Sequence, residues 1–330
     1  MEEDLGKIMI IGACGQIGSE LTSALRSKYG REKVLAADKY PKSDQKLFEN
    51  DIYSSLNILE RGKLKKAVKR NEIDTIFNLA AVLSAKGEET PQLAFQVNVM
   101  GVYNTLEVSR ETRIKKLIIP SSIAVFGAEA PKFNVPDKTY LRPKSMYGVT
   151  KVVGELLGYY YWKRYELDVR ELRLPGIISH KTLPEGGTTD YAVKAFYRAL
   201  TEGHYDFFVS EETRLPMMYM PDCVKSLVKL AEADHKSLKE RTNYNVGSMN
   251  FSAGKLAREI KRFIPEFSYT FNPDRRQELA DSWPNSVEDS AAREEWGWRP
   301  DYGLERMVED MLINLKKKLE DKIKVKLRIP

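Results

Sequence analysis

Tyr147 and Lys151 are the two residues whose types and spacing most directly predict chemistry. They stand four residues apart in Met146-Tyr-Gly-Val-Thr-Lys151. On a helix, this spacing would put both side chains on one face, about one turn or ~5.4 Å apart. A free tyrosine ionises near pH ~10, and a neighbouring ammonium group favours its phenolate. The pair predicts a tyrosine that acts as a general base, although a lone pair of this spacing could also be an ordinary surface pair.

Oxidation of a secondary alcohol needs such a base, because a proton must leave the oxygen while hydride leaves the carbon for a nicotinamide ring. Ser122 follows the strand-like run Lys116-Leu-Ile-Ile-Pro120. Its hydroxyl could hydrogen-bond the same oxygen and hold the reacting carbon at the ring. Lys151 could also bind the nicotinamide ribose. The alternative for Ser122 is a serine that caps a turn, and only geometry can decide between the two.

A glycine-rich turn near the N-terminus predicts the cofactor site. Gly12, Gly15 and Gly18 follow the strand-like run Lys7–Ile11 and open a helical pattern. Gly12 permits a tight turn, Gly15 lets a pyrophosphate approach the backbone, and Gly18 lets the helix pack closely on the strand. The helix N-terminus would then hold the phosphates.

Asp38 predicts which nicotinamide cofactor is used. It ends the strand-like run Val34–Asp38, twenty residues beyond Gly18. A carboxylate there can accept hydrogen bonds from both ribose hydroxyls and would repel a 2′-phosphate, which favours NAD over NADP. Lys39 weakens this preference, and Asp38 could also be a plain turn residue. Asp51-Ile52, after the next strand-like stretch, could flank the adenine.

Strand-like and helical segments alternate along the chain, as in a doubly wound parallel sheet. The strand-like runs are Lys7–Ile11, Val34–Asp38, Thr75–Asn78, Lys116–Pro120 and Leu167–Leu174, and the helical stretches include Pro91–Arg110 and Tyr147–Trp162. After Gly176 the regularity fades into a loop and a helix over 191–200. The sequence thus predicts an α/β fold of the Rossmann type with a smaller, discontinuous C-terminal substrate-binding lobe.

The predicted domain boundaries follow this change of pattern. The NAD-binding domain is expected to span 1–175, with 215–262 returning to it. Residues 176–214 and 263–330 would form mainly the substrate-binding lobe and the C-terminal helices.

Composition narrows the class of protein. At 330 residues and 42% hydrophobic content the chain can bury a sizeable core, with about two domains expected. Two cysteines and three scattered histidines give no metal-ligand spacing and no disulfide framework. No apolar run approaches the ~20 residues of a membrane span, and the start of the chain does not resemble a targeting peptide. We expect a cytoplasmic protein without metal, and without a membrane partner.

Nucleic acid is also not an expected partner. The net charge of +6 comes from 53 basic and 47 acidic residues that are mixed along the chain, apart from Lys316-Lys317-Lys318 and a basic tail to Arg328. No basic run is interleaved with aromatics, so these lysines are interpreted as a solvated helix end.

Several segments together resemble the extended short-chain dehydrogenase/reductase family, essentially from end to end. They are Gly12 to Gly18, Asn78-Leu-Ala-Ala81, Ser121-Ser122-Ile-Ala-Val-Phe-Gly127, Tyr147 to Lys151 and Arg173-Leu-Pro-Gly176. More specific segments resemble the NAD-dependent L-threonine 3-dehydrogenases of that family: Ala81-Val-Leu-Ser-Ala85, Gly186-Gly-Thr-Thr-Asp-Tyr191, Leu215-Pro-Met-Met-Tyr219 and Asp281-Ser-Trp-Pro284. The resemblance implies oxidation of L-threonine by NAD to 2-amino-3-ketobutyrate.

The same resemblance implies roles for individual residues. Tyr147 would be the base, Lys151 its electrostatic partner and Ser122 the group that orients the hydroxyl. The predicted substrate contacts are Ser84, Ser122, Tyr147, Thr188, Thr189 and Trp283. The predicted cofactor contacts are Gly12, Gly15, Gln16, Ile17, Gly18, Asp38, Lys39, Asp51, Ile52, Leu79, Ala80, Ala81, Asn98, Tyr147, Lys151 and Pro175. Thr188 and Thr189 could instead cap the following helix, and capping does not exclude binding.

Two other functional classes stay open at this stage. A sugar-nucleotide epimerase or dehydratase would share the fold and the Tyr147 chemistry but would need arginines and a stacking aromatic for the nucleotide, for which Arg275-Arg276 are candidates. Such enzymes usually carry tyrosine where this chain has Phe126, a small argument against them. An NAD-binding sensor without catalysis would keep the glycine turn but would not need Ser122, Tyr147 and Lys151.

The helix from Tyr147 carries too many apolar residues for one buried stripe. Val149, Val152, Val153, Leu156, Leu157, Tyr159, Tyr160 and Tyr161 all fall within it. With the helical stretch Leu93–Val108 beside it, this pattern predicts a homodimer through a four-helix contact, which the family resemblance also implies.

Overall fold

The structure is a computed structural model that describes residues 3–41, 52–182 and 187–326, with side chains through residue 320. In chain order, the strands are β1 (Ile8–Ile11), β2 (Val34–Asp38), β3 (Tyr53–Ser55), β4 (Thr75–Asn78), β5 (Lys116–Ser122), β6 (Val169–Leu174), β7 (Gly176–Ile178), β8 (His204–Phe207), β9 (Arg214–Tyr219), β10 (Tyr244–Asn245), β11 (Met249–Ser252) and β12 (Ser268–Phe271). The α-helices are α1 (Gln16–Tyr29), α2 (Arg61–Arg70), α3 (Ser84–Glu89), α4 (Pro91–Phe95), α5 (Gly101–Thr112), α6 (Met146–Tyr165), α7 (Tyr191–Thr201), α8 (Met220–Glu232), α9 (Ala253–Phe263), α10 (Arg276–Ser282), α11 (Ser290–Trp296) and α12 (Leu304–Lys326).

A seven-stranded parallel sheet in the order β10-β6-β5-β4-β1-β2-β3 carries the fold. Every residue of β1, β2 and β4 is buried. Continuous apolar runs form such strands because both faces of a parallel sheet are covered by helices. The predicted α/β fold with a doubly wound parallel sheet is therefore confirmed.

Alternate residues of β1 show how the two faces are covered. Ile8 and Ile10 lie in one apolar core with side chains of α1 and α8, whereas Met9 and Ile11 lie in another with side chains of α2, α5 and α6. Successive strand residues point to opposite faces, so one apolar run supplies both cores.

The predicted helix over 91–110 is continuous but irregular. Between α4 and α5 the chain forms one π-helical segment over Gln96–Met100 that contains Asn98. The Asn98 amide pairs with the backbone of Val82, accepting from its N–H at 2.7 Å and donating to its carbonyl at 3.0 Å. A π-helical segment of this kind re-aims a side chain, here toward the stretch that follows β4.

Beyond β6 the chain builds smaller sheets around a third apolar core. Strands β11, β9 and β7 form one sheet, and β12 pairs with β8 in another. Helix α8 packs against α1, and β10 pairs with β6 at the edge of the main sheet. The predicted domain boundaries stay a prediction. Among the described helices, none combines the length and apolar composition of a membrane span.

Candidate active site

The cleft lies where the strand order of the main sheet reverses. Strand β1 pairs with β2 on one side and β4 on the other, so the connections after β1 and β4 leave the sheet in opposite directions and a cleft opens at their carboxyl ends. The cavity there has a volume of about 250 Å³. The predicted site residues that line it are Gly12, Gly15, Gln16, Ile17, Gly18, Leu79, Ala81, Ser84, Ser122, Tyr147, Lys151, Pro175, Thr188, Thr189 and Trp283.

The glycine turn leaves no room for side chains at two positions. Gly12 has φ +83°, and a Cβ there would lie 2.8 Å from the backbone nitrogen of Ala80. A Cβ on Gly18 would overlap the carbonyl oxygen of Gly12 and lie 2.9 Å from the Cα of Ala13. The backbone thus packs closely on itself in this turn, and no side chain covers it at these two positions. Such an exposed backbone at the N-terminus of α1 fits the binding of a dinucleotide pyrophosphate.

Asp38 joins the end of β2 to this turn. Its carboxylate accepts from the backbone N–H of Cys14 at 2.9 Å and from that of Lys39 at 2.7 Å. The N–H bonds orient the carboxylate and leave acceptor capacity for ribose hydroxyls. Lys39 and Ile52 are exposed beside it, whereas Asp51 lies outside the described residues.

Tyr147 and Lys151 lie close together in the structure, as their spacing in the sequence predicted. Tyr147 and Lys151 both face the cleft from α6, with the Lys151 Nζ 5.7 Å from the centre of the Tyr147 ring. The Lys151 amine donates to the Pro120 carbonyl at 2.7 Å, which fastens the helix to the end of β5. Ser145 begins the helix, because its hydroxyl accepts from the Gly148 N–H at 3.0 Å.

Ser122 both caps a turn and lines the cleft. Its hydroxyl oxygen accepts from the N–H of Ala124 at 3.2 Å, so it caps the short 3-10 turn after β5. The same side chain lines the cleft and hydrogen-bonds Tyr147, an interaction that lowers the pKa of that phenol.

Burial changes the acidity of both Tyr147 and Lys151. Burial raises the pKa of Tyr147 to about 12, and the hydrogen bond with Ser122 only partly offsets this. Burial also lowers the pKa of Lys151 to about 8, against the carboxyl groups of Glu171 and Glu155, which raise it. Desolvation disfavours the charged form of both groups, and it is the largest cause of both changes in pKa. That the ammonium form of Lys151 favours the phenolate stays a prediction.

The substrate end of the cleft is assembled from distant parts of the chain. The hydroxyl oxygens of Ser84 and Thr188 lie 3.4 Å apart, and the Thr188 N–H donates to Ser84 Oγ at 3.3 Å. Trp283 is buried against the cavity, and its carbonyl accepts from the amine of Lys132 at 3.0 Å. Helix α7 begins after Asp190, as expected, and its N-cap residue is Asp190 rather than Thr188 or Thr189.

Asp190 is a site residue that the sequence analysis missed. It is buried, lines the cleft, and accepts from the Gly187 N–H at 3.0 Å. The sequence feature that could have identified Asp190 is an acidic residue directly after the Gly-Thr-Thr segment.

Asn98 and Ala80 do not line the described cleft. Asn98 instead borders a small neighbouring cavity behind Lys151, where its amide donates to the Thr150 hydroxyl at 3.0 Å. The backbone of Ala80 packs against Gly12. Their predicted contact with the cofactor stays a prediction.

A buried ion pair fixes α6 to the sheet beneath the cleft. The Arg173 guanidinium donates to both oxygens of Glu155 at 2.8 Å, and the Ser121 hydroxyl donates to Glu155 at 2.6 Å. Removal of one partner from such a pair would leave a buried charge, at a cost of about 3–5 kcal/mol. The pair therefore holds the helix of Tyr147 in register with β5 and β6.

One group of possible metal ligands lies away from the cleft, formed by Glu3, Asp234 and His235. Glu3 already forms ion pairs with Lys116 and Arg170 at 3.0 Å each. The charge of Glu3 is thus neutralised by ion pairs within the protein, and none of the three residues lines the cleft.

The chain belongs to the NAD dependent epimerase/dehydratase family, which matches residues 8–247. This membership confirms the predicted family and NAD as the cofactor. An uncharacterized epimerase/dehydratase of Staphylococcus saprophyticus is 40% identical over 319 residues, 96% of this chain and 99% of the relative.

Among solved structures, several L-threonine dehydrogenases are similar to this chain in both sequence and fold. An L-threonine dehydrogenase from Clostridium difficile is 43% identical with a TM-score of 0.93, over 96% of this chain and 99% of that one. An L-threonine dehydrogenase from Cupriavidus necator in its holo form is 44% identical with a TM-score of 0.90, over 94% and 99% of the two chains.

Two further structures bear on the alternatives. A UDP-glucose 4-epimerase from Thermotoga maritima is 21% identical with a TM-score of 0.83, over 94% of this chain and 99% of that one, a likeness of fold alone. A monomeric L-threonine 3-dehydrogenase from a metagenome database is 42% identical with a TM-score of 0.90, over 94% and 99% of the two chains.

Proposed function

We propose that this protein oxidises L-threonine at its 3-hydroxyl with NAD, forming 2-amino-3-ketobutyrate and NADH. The observation that carries the proposal is the convergence of Ser122, Tyr147 and Lys151 on one small cleft whose far end is lined by Ser84, Thr188 and Asp190. The similarity to L-threonine dehydrogenases over almost the whole chain supports the choice of substrate. We further propose that it acts in threonine catabolism in the cytoplasm.

In the proposed mechanism, NAD supplies the hydride acceptor when bound along the glycine turn. The Tyr147 oxygen removes the proton of the substrate hydroxyl, and the Ser122 hydroxyl donates a hydrogen bond to the same oxygen to orient it. Because burial raises the pKa of Tyr147 to about 12, formation of its phenolate requires positive charge close by. The ammonium form of Lys151 would supply part of that charge.

The proposed substrate contacts match the groups of a small amino acid. The Ser84, Thr188 and Thr189 hydroxyls can hydrogen-bond a carboxylate, and the Asp190 carboxylate can pair with an α-ammonium group. Trp283 covers the pocket and excludes water, which strengthens these interactions.

The two arginines suggested for a sugar nucleotide are not in the cleft. Arg276 forms an ion pair with Asp274 at 2.5 Å and stacks on the Phe208 ring at 3.2 Å, while the Arg275 side chain is 84% exposed. Within the described residues, Lys151 is the one cationic side chain that lines the cavity. A sugar-nucleotide diphosphate at the substrate end of the cleft would therefore meet no arginine among these lining residues.

The experiment that tests this function is an activity assay with two substrate classes. The purified protein is mixed with NAD and L-threonine, and NADH formation is followed by absorbance. Parallel reactions contain UDP-glucose or UDP-galactose, and their products are separated by chromatography. NADH formation with L-threonine alone supports the proposal. Conversion of a nucleotide sugar, with L-threonine inert, would replace it with the epimerase function.

Asp38→Asn is expected to reduce the preference for NAD over NADP. An asparagine side chain can still accept from the Cys14 N–H through its oxygen, but it no longer repels a 2′-phosphate. We expect the ratio of kcat/KM for NAD to that for NADP to fall by about tenfold, which corresponds to about 1.4 kcal/mol. An unchanged ratio would mean that another residue selects the cofactor.

We propose that the protein is a homodimer through a four-helix contact made by α6 and the helical stretch 91–112. Both present apolar side chains that are exposed in the isolated chain. They are Leu93, Phe95, Met100, Tyr103, Val149, Leu156, Tyr159 and Tyr160. An apolar patch on this scale is typical of an interface rather than of a free surface. The monomeric relative named above makes the oligomeric state an open experimental question.

Leu156→Glu is expected to convert this dimer to a monomer, because it would bury a carboxylate in the apolar contact. Size-exclusion chromatography with light scattering measures the mass directly. Ile313→Glu is the matched control, since Ile313 is 60% exposed on α12 and Leu156 is 64% exposed on α6. If the unmodified protein elutes as a monomer at micromolar concentration, the proposed interface is wrong.

A further inference from the structure

Glu171 is a buried acid that the proposed mechanism does not use. It lies in β6, is 1% exposed, and directs its carboxyl against α6 at Gly158, where a Cβ would lie 2.5 Å from its Oε1. The Oε2 atom is fully buried and has no hydrogen-bond partner among the described residues. A carboxyl group in such surroundings is costly to keep ionised unless another charge or polar group faces it.

Lys151 lines the same small cavity as Glu171. A small cavity of about 10 Å³, room for about one water molecule, lies behind the active site. Its lining includes Asn98, Thr150, Lys151, Gly154, Glu155 and Glu171. Gly154 contributes open space, since a Cβ there would meet no atom within 4 Å. Lys151 and Glu171 thus border the same cavity.

The other charged groups at this cavity are already committed. Glu155 accepts hydrogen bonds from Nε and Nη2 of Arg173 and from the Ser121 hydroxyl. That leaves Glu171 as the acid available to Lys151 from β6, while Asn98 and Thr150 supply uncharged polar groups from the neighbouring helices.

We propose that Glu171 is a positioning residue for the reaction, whose carboxylate stabilises Lys151 as an ammonium ion facing Tyr147. This proposal rests on the proposed function only in taking Tyr147 as the base. Glu171 does not line the cleft. It therefore acts on the reaction through Lys151 and not by contact with the substrate or the cofactor.

The directions of the pKa changes agree with this coupling. The pKa of Glu171 is raised well above its ordinary value, first by burial and then by Glu155, while Lys151 and Arg173 act to lower it. The pKa of Lys151 is lowered to about 8 by burial, and Glu171 is the first of the carboxyls that raise it. As pH rises, ionisation of Glu171 therefore retains the proton on Lys151 at pH values where burial alone would remove it.

Glu171→Gln keeps the shape and polarity of the side chain and removes its charge, so the pH profile of kcat is the informative measurement. We expect the alkaline limb of kcat to move down by about one pH unit, with a loss of about tenfold at pH 9 and less than twofold at pH 7. Glu232→Gln is the matched control, since Glu232 is 3% exposed on α8 and pairs with Lys28. Superimposable profiles for Glu171→Gln and the unmodified protein would overturn the proposal.

Thermal unfolding at several pH values tests the same residue without any activity. A raised pKa of Glu171 in the folded state stabilises the protein below the ordinary value of 4.5, and that contribution is lost as pH rises toward the folded-state pKa. The Tm of Glu171→Gln should therefore match the unmodified protein near pH 4.5 and exceed it by several degrees at pH 9. A pH-independent difference would refute titration of Glu171. If L-threonine is inert but the Tm difference grows with pH, the proposed substrate fails while the buried titration stands.

Discussion

Replacing Tyr147 by phenylalanine is expected to lower kcat for L-threonine oxidation by at least ~100-fold, the lower end of usual general-base contributions. The substitution removes one oxygen from a side chain that is packed against the cleft wall and hydrogen-bonded to Ser122. The ring stays, so the shape of the cofactor site is preserved. NAD affinity, measured by quenching of tryptophan fluorescence, should change by less than about threefold.

Tyr140→Phe is the matched control for this prediction. Tyr140 is 76% exposed and does not line the cleft, so loss of its hydroxyl should leave kcat unchanged. Near-normal turnover by Tyr147→Phe would remove Tyr147 as the base, whatever the substrate proves to be. A loss of both kcat and NAD affinity would point instead to a disturbed cleft.

Gly18→Ala is the second change with a large expected effect, and it acts on the cofactor. The new methyl group would overlap the carbonyl oxygen of Gly12 and lie 2.9 Å from the Cα of Ala13, and both neighbours are backbone atoms that cannot rotate away. Overpacking of this kind costs about 1–3 kcal/mol. The turn must move, so we expect NAD affinity to fall by about 10- to 100-fold in a fluorescence titration.

Gly62→Ala separates a general effect of glycine replacement from this specific one. Gly62 lies in α2, and a Cβ there would meet no atom within 4 Å. Gly62 is the second residue of α2, so the preference for alanine over glycine is weaker there than in a helix interior. This variant should therefore keep NAD affinity and unfold at nearly the same temperature. If Gly18→Ala binds NAD as tightly as Gly62→Ala does, the close approach within the turn does not matter for binding.

Both predictions depend on a cleft whose walls are held by interactions beneath it. The buried Arg173–Glu155 pair and the Lys151 hydrogen bond to Pro120 connect α6 to β5 and β6. Tyr147 and Ser122 therefore sit on rigid elements rather than on free loops. Such placement keeps the reacting groups within the narrow tolerance that hydride and proton transfer require.

The sequence by itself determined the features that arise from local periodicity. Continuous apolar runs predicted β1, β2 and β4, and glycine spacing predicted the turn between β1 and α1. The four-residue spacing of Tyr147 and Lys151 placed both on one helical face. These predictions hold because strand burial, turn geometry and helical repeat depend on neighbours within a few residues.

Tertiary structure alone decided which distant residues meet and how acidic they are. Ser84 and Thr188 are 104 residues apart but hydrogen-bond each other, and Asp190 reaches the cleft from the end of a loop. No local pattern predicts such contacts, because they depend on how the smaller sheets pack beside the main one.

The acidity of the active-site groups shows the same division. Helical spacing predicted that Lys151 would acidify Tyr147, yet burial raises the pKa of that phenol and lowers the pKa of the amine. Spacing defines which side chains are neighbours, but desolvation depends on everything that excludes water around them. The charge of Glu171, which the strand β6 contributes, acts on Lys151 in the opposite direction. The pattern thus identified the reacting groups, and only the packed fold set the charges they carry.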